Sequence, residues 1–229
     1  AGTRVVPIPT DSNDARSALA TQLGMNRGEL LAGISGVLLV EGKHDQIVLQ
    51  RLFGSQLRAA SLAVVRMHGT DNLMATAELD FLEQYLDVPI IVLLDYTKIE
   101  HVLAGQPTTD EERKLIQLRR TLKRRNRTYQ LVGLERPDIV CYLSEAALRE
   151  KYPTFPGWAT VIREFTNRRT RPRFKEWLNE RFNVDLTHSG HIEQALDRMN
   201  EGAHRPVGEL TRKVSEILSH LPGAPPRST

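Results

Sequence analysis

The chain has 229 residues, 40% of them hydrophobic and 26% charged, with a net charge of +3, which excludes a disordered or fibrous protein and allows one large domain or a medium one with an appendage. No apolar run approaches the roughly 18 residues of a membrane span, and no basic-then-apolar signal peptide opens it. The single cysteine, Cys141, excludes an internal disulfide and fits a reducing, cytoplasmic compartment.

Residues 1–14 mix Pro, Thr, Ser, Asn and Asp without periodicity and are expected to form an extended arm or linker. The chain begins Ala1-Gly2-Thr3, and the expectation is a piece of a longer protein. A helical pattern over 15–31 is interrupted at Gly24 and Gly28. Val37-Leu38-Leu39-Val40 then reads as a buried strand. It ends on Glu41, turns at Gly42, and passes through Lys43, His44 and Asp45 into a helix over 45–57. An acid at that point sits at the carboxyl edge of a sheet, where open α/β folds bind ligands.

A second strand is expected at 62–66, with His68 in the turn after it and a helix over 71–86. A third strand, Ile90 to Leu94, runs into Asp95-Tyr96-Thr97. Strand, helix, strand, helix, strand at these lengths predicts a parallel α/β sheet. Parallel neighbours lie about 4.8 Å apart, so Glu41 and Asp95 could share one hard cation; on spacing alone a pair of solvated strand-end acids is the plainer reading. Residues 98–107 read as a loop, 110–127 as a charged helix, and 130–133 as a fourth strand. Beyond Pro153 the pattern is helical only (158–165, 174–182, 191–199 and 207–221), and the proline-rich tail at 222–229 is expected to be disordered. The domains expected are thus a sheet domain over 15–152 and a helical extension over 153–221.

Val40-Glu41-Gly42-Lys43-His44-Asp45, followed later by Ile91-Val92-Leu93-Leu94-Asp95-Tyr96-Thr97, resembles the Toprim domain of topoisomerases, primases and OLD-family (overcoming lysogenization defect) nucleases. The spacing of Glu41 and Asp45, and His68-Gly69-Thr70 after the second strand, resemble the OLD branch most. The resemblance spans roughly residues 15–150. It implies a Toprim-like (Rossmann-like) sheet and Mg²⁺- or Mn²⁺-dependent cleavage of DNA. It further implies Glu41 as base or ligand, Asp95 as the principal metal ligand and Asp45 as a ligand or its support. Thr97 stands where the family has the second Asp of Asp-x-Asp, and Val140 stands where OLD-type proteins place a Glu. Three outcomes follow: a one-metal nuclease, a site completed by Glu100 or Asp138, or a site that no longer cuts; the Thr97 hydroxyl could still hold a coordinated water. The alternative reading is therefore a catalytically degenerate Toprim module that binds nucleic acid or a partner ATPase. OLD-type Toprim domains usually follow an ATPase domain, and no Gly-x-x-x-x-Gly-Lys-Ser/Thr loop occurs in this chain.

Lys43 and His44 lie between the two acids and would meet an arriving phosphate. Two basic groups follow, one between Arg119 and Arg127 (Arg120, Lys123, Arg124, Arg125) and one between Arg163 and Lys175 (Arg168, Arg169). Clustered cations of this kind fit the DNA backbone, while a solvated helix face is the plain alternative. His188 and His191 have no cysteine or third ligand near them in sequence and make a weak zinc signal. Nothing in the pattern points to an oligomeric state.

Overall fold

The computed structural model describes residues 34–67, 88–109, 112–113, 115–117, 119–120, 129–168, 172–201, 206 and 208–221. The expectations for 1–14, 15–31, His68, 71–86, Lys123, Arg124, Arg125, Arg169 and 222–229 lie outside the described residues.

Four strands, β1 (Gly36–Val40), β2 (Leu62–Arg66), β3 (Ile90–Leu94) and β4 (Tyr129–Gly133), form one parallel sheet where the apolar runs predict it. Their order is β2-β1-β3-β4. The chain moves outward from β1 to β2, then crosses back to the other side of β1 for β3. At such a reversal an open parallel sheet leaves a crevice beyond the carboxyl ends of its strands. The register sets Val40 opposite Leu93, so Glu41 and Asp95 leave neighbouring strands into that crevice.

Alternate strand residues supply two cores, as the period of two requires. On one face Leu38, Val40, Val64, Ile91, Leu93 and Val132 pack with helix α1 (Lys43–Ala59) and the C-terminal helices. On the other, Val37, Leu39, Val65, Ile90, Val92 and Leu94 pack with Val102 and Leu115. Covering both faces is what makes these strands read as unbroken apolar runs. Helix α1 presents Val48, Leu49, Phe53 and Leu57 as its buried stripe. Gln46, one turn in, donates from Nε2 to the Val64 carbonyl at 3.0 Å and ties α1 to β2.

The stretch 98–107, predicted as a loop, instead contains a short helix, α2 (Ile99–Ala104). Val102 anchors it in the second core, and Gly105, at φ 73°, ends it in the left-handed conformation that glycine adopts without penalty. The predicted helix at 110–127 is helical at its described residues between 112 and 120. Its start is a reciprocal cap: Glu112 N donates to Thr109 Oγ1 at 3.1 Å, and Thr109 N donates to Glu112 Oε2 at 3.3 Å. The same carboxylate accepts from the Lys98 and Thr108 backbone N–H groups at 3.1 and 2.6 Å.

Burial alone would raise the Glu112 pKa, but these donors outweigh it and hold the carboxyl below its usual 4.5. A depressed carboxyl stabilises the fold fully above its unfolded value and loses that contribution as pH falls through the folded one. We expect Glu112→Ala to cost about 2 kcal/mol at neutral pH, since three backbone donors lose their acceptor. The difference from the unsubstituted protein should shrink below about pH 4.5. Urea unfolding across that range measures it.

The C-terminal half forms a 3₁₀ turn (Ile139–Tyr142) and helices α3 (Glu145–Lys151), α4 (Trp158–Thr166), α5 (Phe174–Phe182), α6 (Ser189–Glu201) and α7 (Gly208–Leu218). The 3₁₀ turn and α3 have no counterpart among the predicted elements; the other four helices stand where the sequence puts them. Ser144 caps α3, accepting from Ala147 N at 3.4 Å. Glu145 then accepts from Trp158 N at 2.8 Å, so α3 supplies the cap that Gly157 lacks a side chain to give α4. Phe165, Phe174, Trp177 and Phe182 meet at tilted and edge-on angles with centroids 4.9 to 6.1 Å apart. The chain ends its described part with Leu221 against β1, where a Cβ on Gly36 would stand 2.4 Å from Leu221 Cδ2. No helix among the described residues is long and apolar enough to cross a membrane.

Candidate active site

The crevice holds a cleft of about 650 Å³. Glu41, Lys43, His44 and Asp45 line it from β1 and α1, Asp95 and Tyr96 from β3, Asp138 from the 3₁₀ turn, and Phe174 and Lys175 from α5. Glu41, Asp45 and Asp95 also line a small recess below it, closed by Leu93, Leu134 and Ile139. The acids thus form the floor and apolar side chains seal them from beneath.

Each acid is aimed by local backbone. Asp45, in the first turn of α1, accepts from Gly42 N at 2.6 Å, which places its carboxylate over the start of its own helix. Asp95 accepts from Ile139 N at 3.1 Å. Asp138 caps the 3₁₀ turn through Val140 N at 3.1 Å and meets Lys175 Nζ at 2.5 Å with its other oxygen. The chain after Asp95 is sharply bent: Tyr96 has φ 47°, a region uncommon for a residue with a Cβ. It is held there by Tyr96 N donating to the Arg136 carbonyl at 3.0 Å and Thr97 N donating to Leu134 at 3.0 Å.

Carboxylates crowded in a partly dry recess resist ionising together. Burial raises Asp45 to about 7, and the neighbouring Asp138 and Glu41 push the same way against Lys175 and the Gly42 N–H. Burial also raises Asp95 well above the usual carboxylate range, reinforced by Asp45, Asp138 and Glu41. Burial would lower Lys175, but Asp138, Asp95 and Asp45 outweigh it and keep the ammonium charged. His44 is lowered by burial and by Lys175.

This donor set suits a hard divalent cation: it is all oxygen and opens into the cleft, and a cation there would favour ionisation of the crowded carboxyls. Among the described residues no three His, Cys, Asp or Glu side chains already converge as a closed ligand set. Mg²⁺ does not require one, because it keeps several waters and commonly takes one or two carboxylates.

The structure brings Glu41, Asp45, Asp95, Asp138, Lys43 and His44 to the cleft and leaves Thr97 and Glu100 elsewhere. Those two line a separate cavity of about 500 Å³ with Lys98, Glu112 and Lys213. Thr97 is 3% exposed and donates its hydroxyl to the Asp95 carbonyl at 2.9 Å. Glu100 belongs to the first turn of α2. Val140 is fully buried; the acid that faces the cleft from this segment is Asp138.

Arg120 is exposed on the helix that covers the opposite face of the sheet, and Arg119 donates to the α2 carbonyls Val102 and Leu103. Arg168 is exposed and stacks over Trp177 at 5.9 Å, outside the cleft lining. The cleft's own cations from the second basic group are Arg173 and Lys175, which the sequence reading did not single out. The signal was present in their closeness to Phe174, but only α5 packing shows which members of the run face inward. His188 and His191 stand edge-on at 5.7 Å at the start of α6, with His191 Nδ1 3.1 Å from Asp185.

A sheet with this strand order, a Glu-Gly-x-x-Asp turn on one central strand and an acid at the end of its neighbour, is a Toprim-type α/β domain. More narrowly, residues 35–96 match the family described as overcoming lysogenization defect protein-like, TOPRIM domain. Solved structures of the C-terminal region of the Xanthomonas campestris pv. campestris OLD protein, phased with iodine and with platinum, are 15% and 17% identical. They cover 74% and 76% of this chain and 95% and 96% of their own, with TM-scores of 0.30 and 0.31, too low to carry weight. No curated protein matches the chain.

Proposed function

We propose that this domain hydrolyses DNA phosphodiesters with Mg²⁺ or Mn²⁺, as the nuclease part of an OLD-like ATPase–nuclease system. The observation that carries the reading is the placing of Glu41, Asp45 and Asp95 around one recess at the reversal point of the sheet. Asp95 and Asp45, with Glu41 or Asp138 at the rim, would hold the cation. A divalent ion there polarises the phosphate and makes water nucleophilic at neutral pH.

The chain's own residues do the rest. Glu41, which lines the cleft and the recess with both aspartates, would accept the proton of the attacking water as the bond from phosphorus to the leaving sugar oxygen breaks and that oxygen takes up a proton from solvent. Lys175 offers its ammonium to a non-bridging phosphate oxygen, while Asp138 fixes its position. Lys43 and Arg173 also line the cleft and would meet the flanking phosphates. The test is supercoiled plasmid with Mg²⁺ or Mn²⁺, where nicked or linear product is expected and EDTA should stop it. Undiminished cleavage in EDTA overturns the mechanism.

A second reading is a silent module that grips nucleic acid or an ATPase partner without cutting. The lack of a closed three-ligand set among the described residues favours it, as does the turn of Thr97 away from the cleft. It gives DNA retention without cleavage, unaltered by Glu41→Gln.

Both readings place phosphates against the cationic rim. Arg173 is 86% exposed at its side chain and bridges to Glu176 at 3.2 Å, so Arg173→Ala should leave the fold intact. It should weaken DNA retention and flatten the slope of log K against log salt by about one. A filter-binding salt series measures the change; an unchanged slope removes Arg173 from the interface.

A further inference from the structure

Residues 134–142 wrap the end of β3. Leu134 and Arg136 take the Thr97 and Tyr96 N–H groups through their carbonyls, and Ile139 N donates to the Asp95 carboxylate at 3.1 Å. This wrap is fastened from outside by one residue of the last helix. Glu209, at the start of α7, accepts from Tyr142 Oη at 2.7 Å and from Glu135 N at 2.9 Å through the same oxygen. Tyr142 Oη in turn accepts from Arg136 N at 3.2 Å, and Arg136 donates from Nη1 to the Cys141 carbonyl at 2.6 Å. The Tyr142 ring is fully buried and lies under the Arg136 guanidinium at 5.1 Å. Glu209 and Tyr142 do not line the cleft.

We infer that Glu209 and Tyr142 are positioning residues, a strut from α7 that clamps the 135–142 segment around Asp95 and so sets the geometry of the cleft. The segment meets Asp95 at two points, the backbone after it and its carboxylate, and the strut grips the segment on both sides of those points. Removing Tyr142 Oη leaves Arg136 N without its acceptor and takes from Glu209 one of the two donors it holds, Glu135 N being the other. The Tyr96 and Ile139 amides should then open more readily. The consequence for metal affinity rests on the proposed cation site; the clamp itself does not.

The test uses the whole chain as Tyr142→Phe, Glu209→Ala and Glu209→Gln, with Arg51→Ala as the control because Arg51 pairs with Asp197 at the surface, at 2.8 Å, away from the 134–142 segment. Hydrogen exchange should show the Tyr96 and Ile139 amides losing about tenfold protection in Tyr142→Phe and Glu209→Ala, as expected for one hydrogen bond of ordinary strength. Glu209→Gln, which keeps an acceptor, should restore most of it, and Arg51→Ala should change nothing. Full protection of both amides in Tyr142→Phe overturns the inference. Mn²⁺ titration followed by the free-ion resonance gives the second readout. Several-fold weaker binding is expected in Tyr142→Phe and no further weakening when it is added to Asp95→Asn. Unchanged Mn²⁺ affinity with lost amide protection would overturn control of the cleft by the strut. If the unsubstituted protein binds no Mn²⁺, the nuclease reading fails and the clamp is judged on exchange alone.

Discussion

Glu41→Gln and Asp95→Asn should each lower metal-dependent plasmid nicking by at least about 10²-fold, the usual scale for losing a group that moves a proton or holds charge in the transition state. Their effect on stability should run the other way. Asp95→Asn keeps an acceptor for Ile139 N, at 3.1 Å in the unsubstituted protein, and removes a charge that Asp45, Asp138 and Glu41 all oppose. Its melting temperature in EDTA should hold or rise. A loss of cleavage with a steady or higher melting temperature separates a site defect from a folding one. Retained cleavage in both variants would sink the assignment.

Gly133→Ala should be the most damaging single-methyl change in the sheet. A Cβ there would lie 2.0 Å from the Thr97 carbonyl oxygen and 3.0 Å from its carbon, both backbone atoms that cannot swing aside. Overpacking of this kind costs typically 1–3 kcal/mol and sometimes more; with backbone as the obstacle we expect about 3 kcal/mol. For a domain of this size that is a drop in melting temperature of roughly 6–12 °C. Because Thr97 follows directly on Asp95 and Tyr96, the displaced turn should also weaken Mn²⁺ binding. Circular dichroism melting checks the first effect, and an unchanged midpoint would show that the turn can move freely.

The sheet was legible because its strands are buried on both faces, which leaves short apolar runs bounded by turns. Glu41 and Asp95 were legible for a related reason: a charge ending such a run must sit at the sheet's edge. Contacts made across the chain were not. Lys175 sits among arginines in the sequence, and only the aromatic packing of α5 turns it toward Asp138. Thr97 fills a ligand's place in the pattern, yet its hydroxyl satisfies the carbonyl two residues back, as short polar side chains do in tight turns. The Thr109-x-x-Glu112 cap is a readable signal of a helix start, and with it the polar end of the loop before 110 was in plain view. Gly133 carries no local signature, since its need for bareness comes from a strand-end turn that crosses it.

The cleft is assembled from distant parts of the polypeptide, and that has a consequence during translation. Its carboxylates are made first, while the balancing ammonium arrives on α5 and the clamp on α7. Domains tend to organise from the N-terminal side as they emerge, so a growing chain presents Glu41, Asp45, Asp95 and Asp138 before Lys175, the ammonium paired with Asp138, has left the ribosome. A chain ended before α5 would therefore keep its strands but lack the ammonium that holds Asp138.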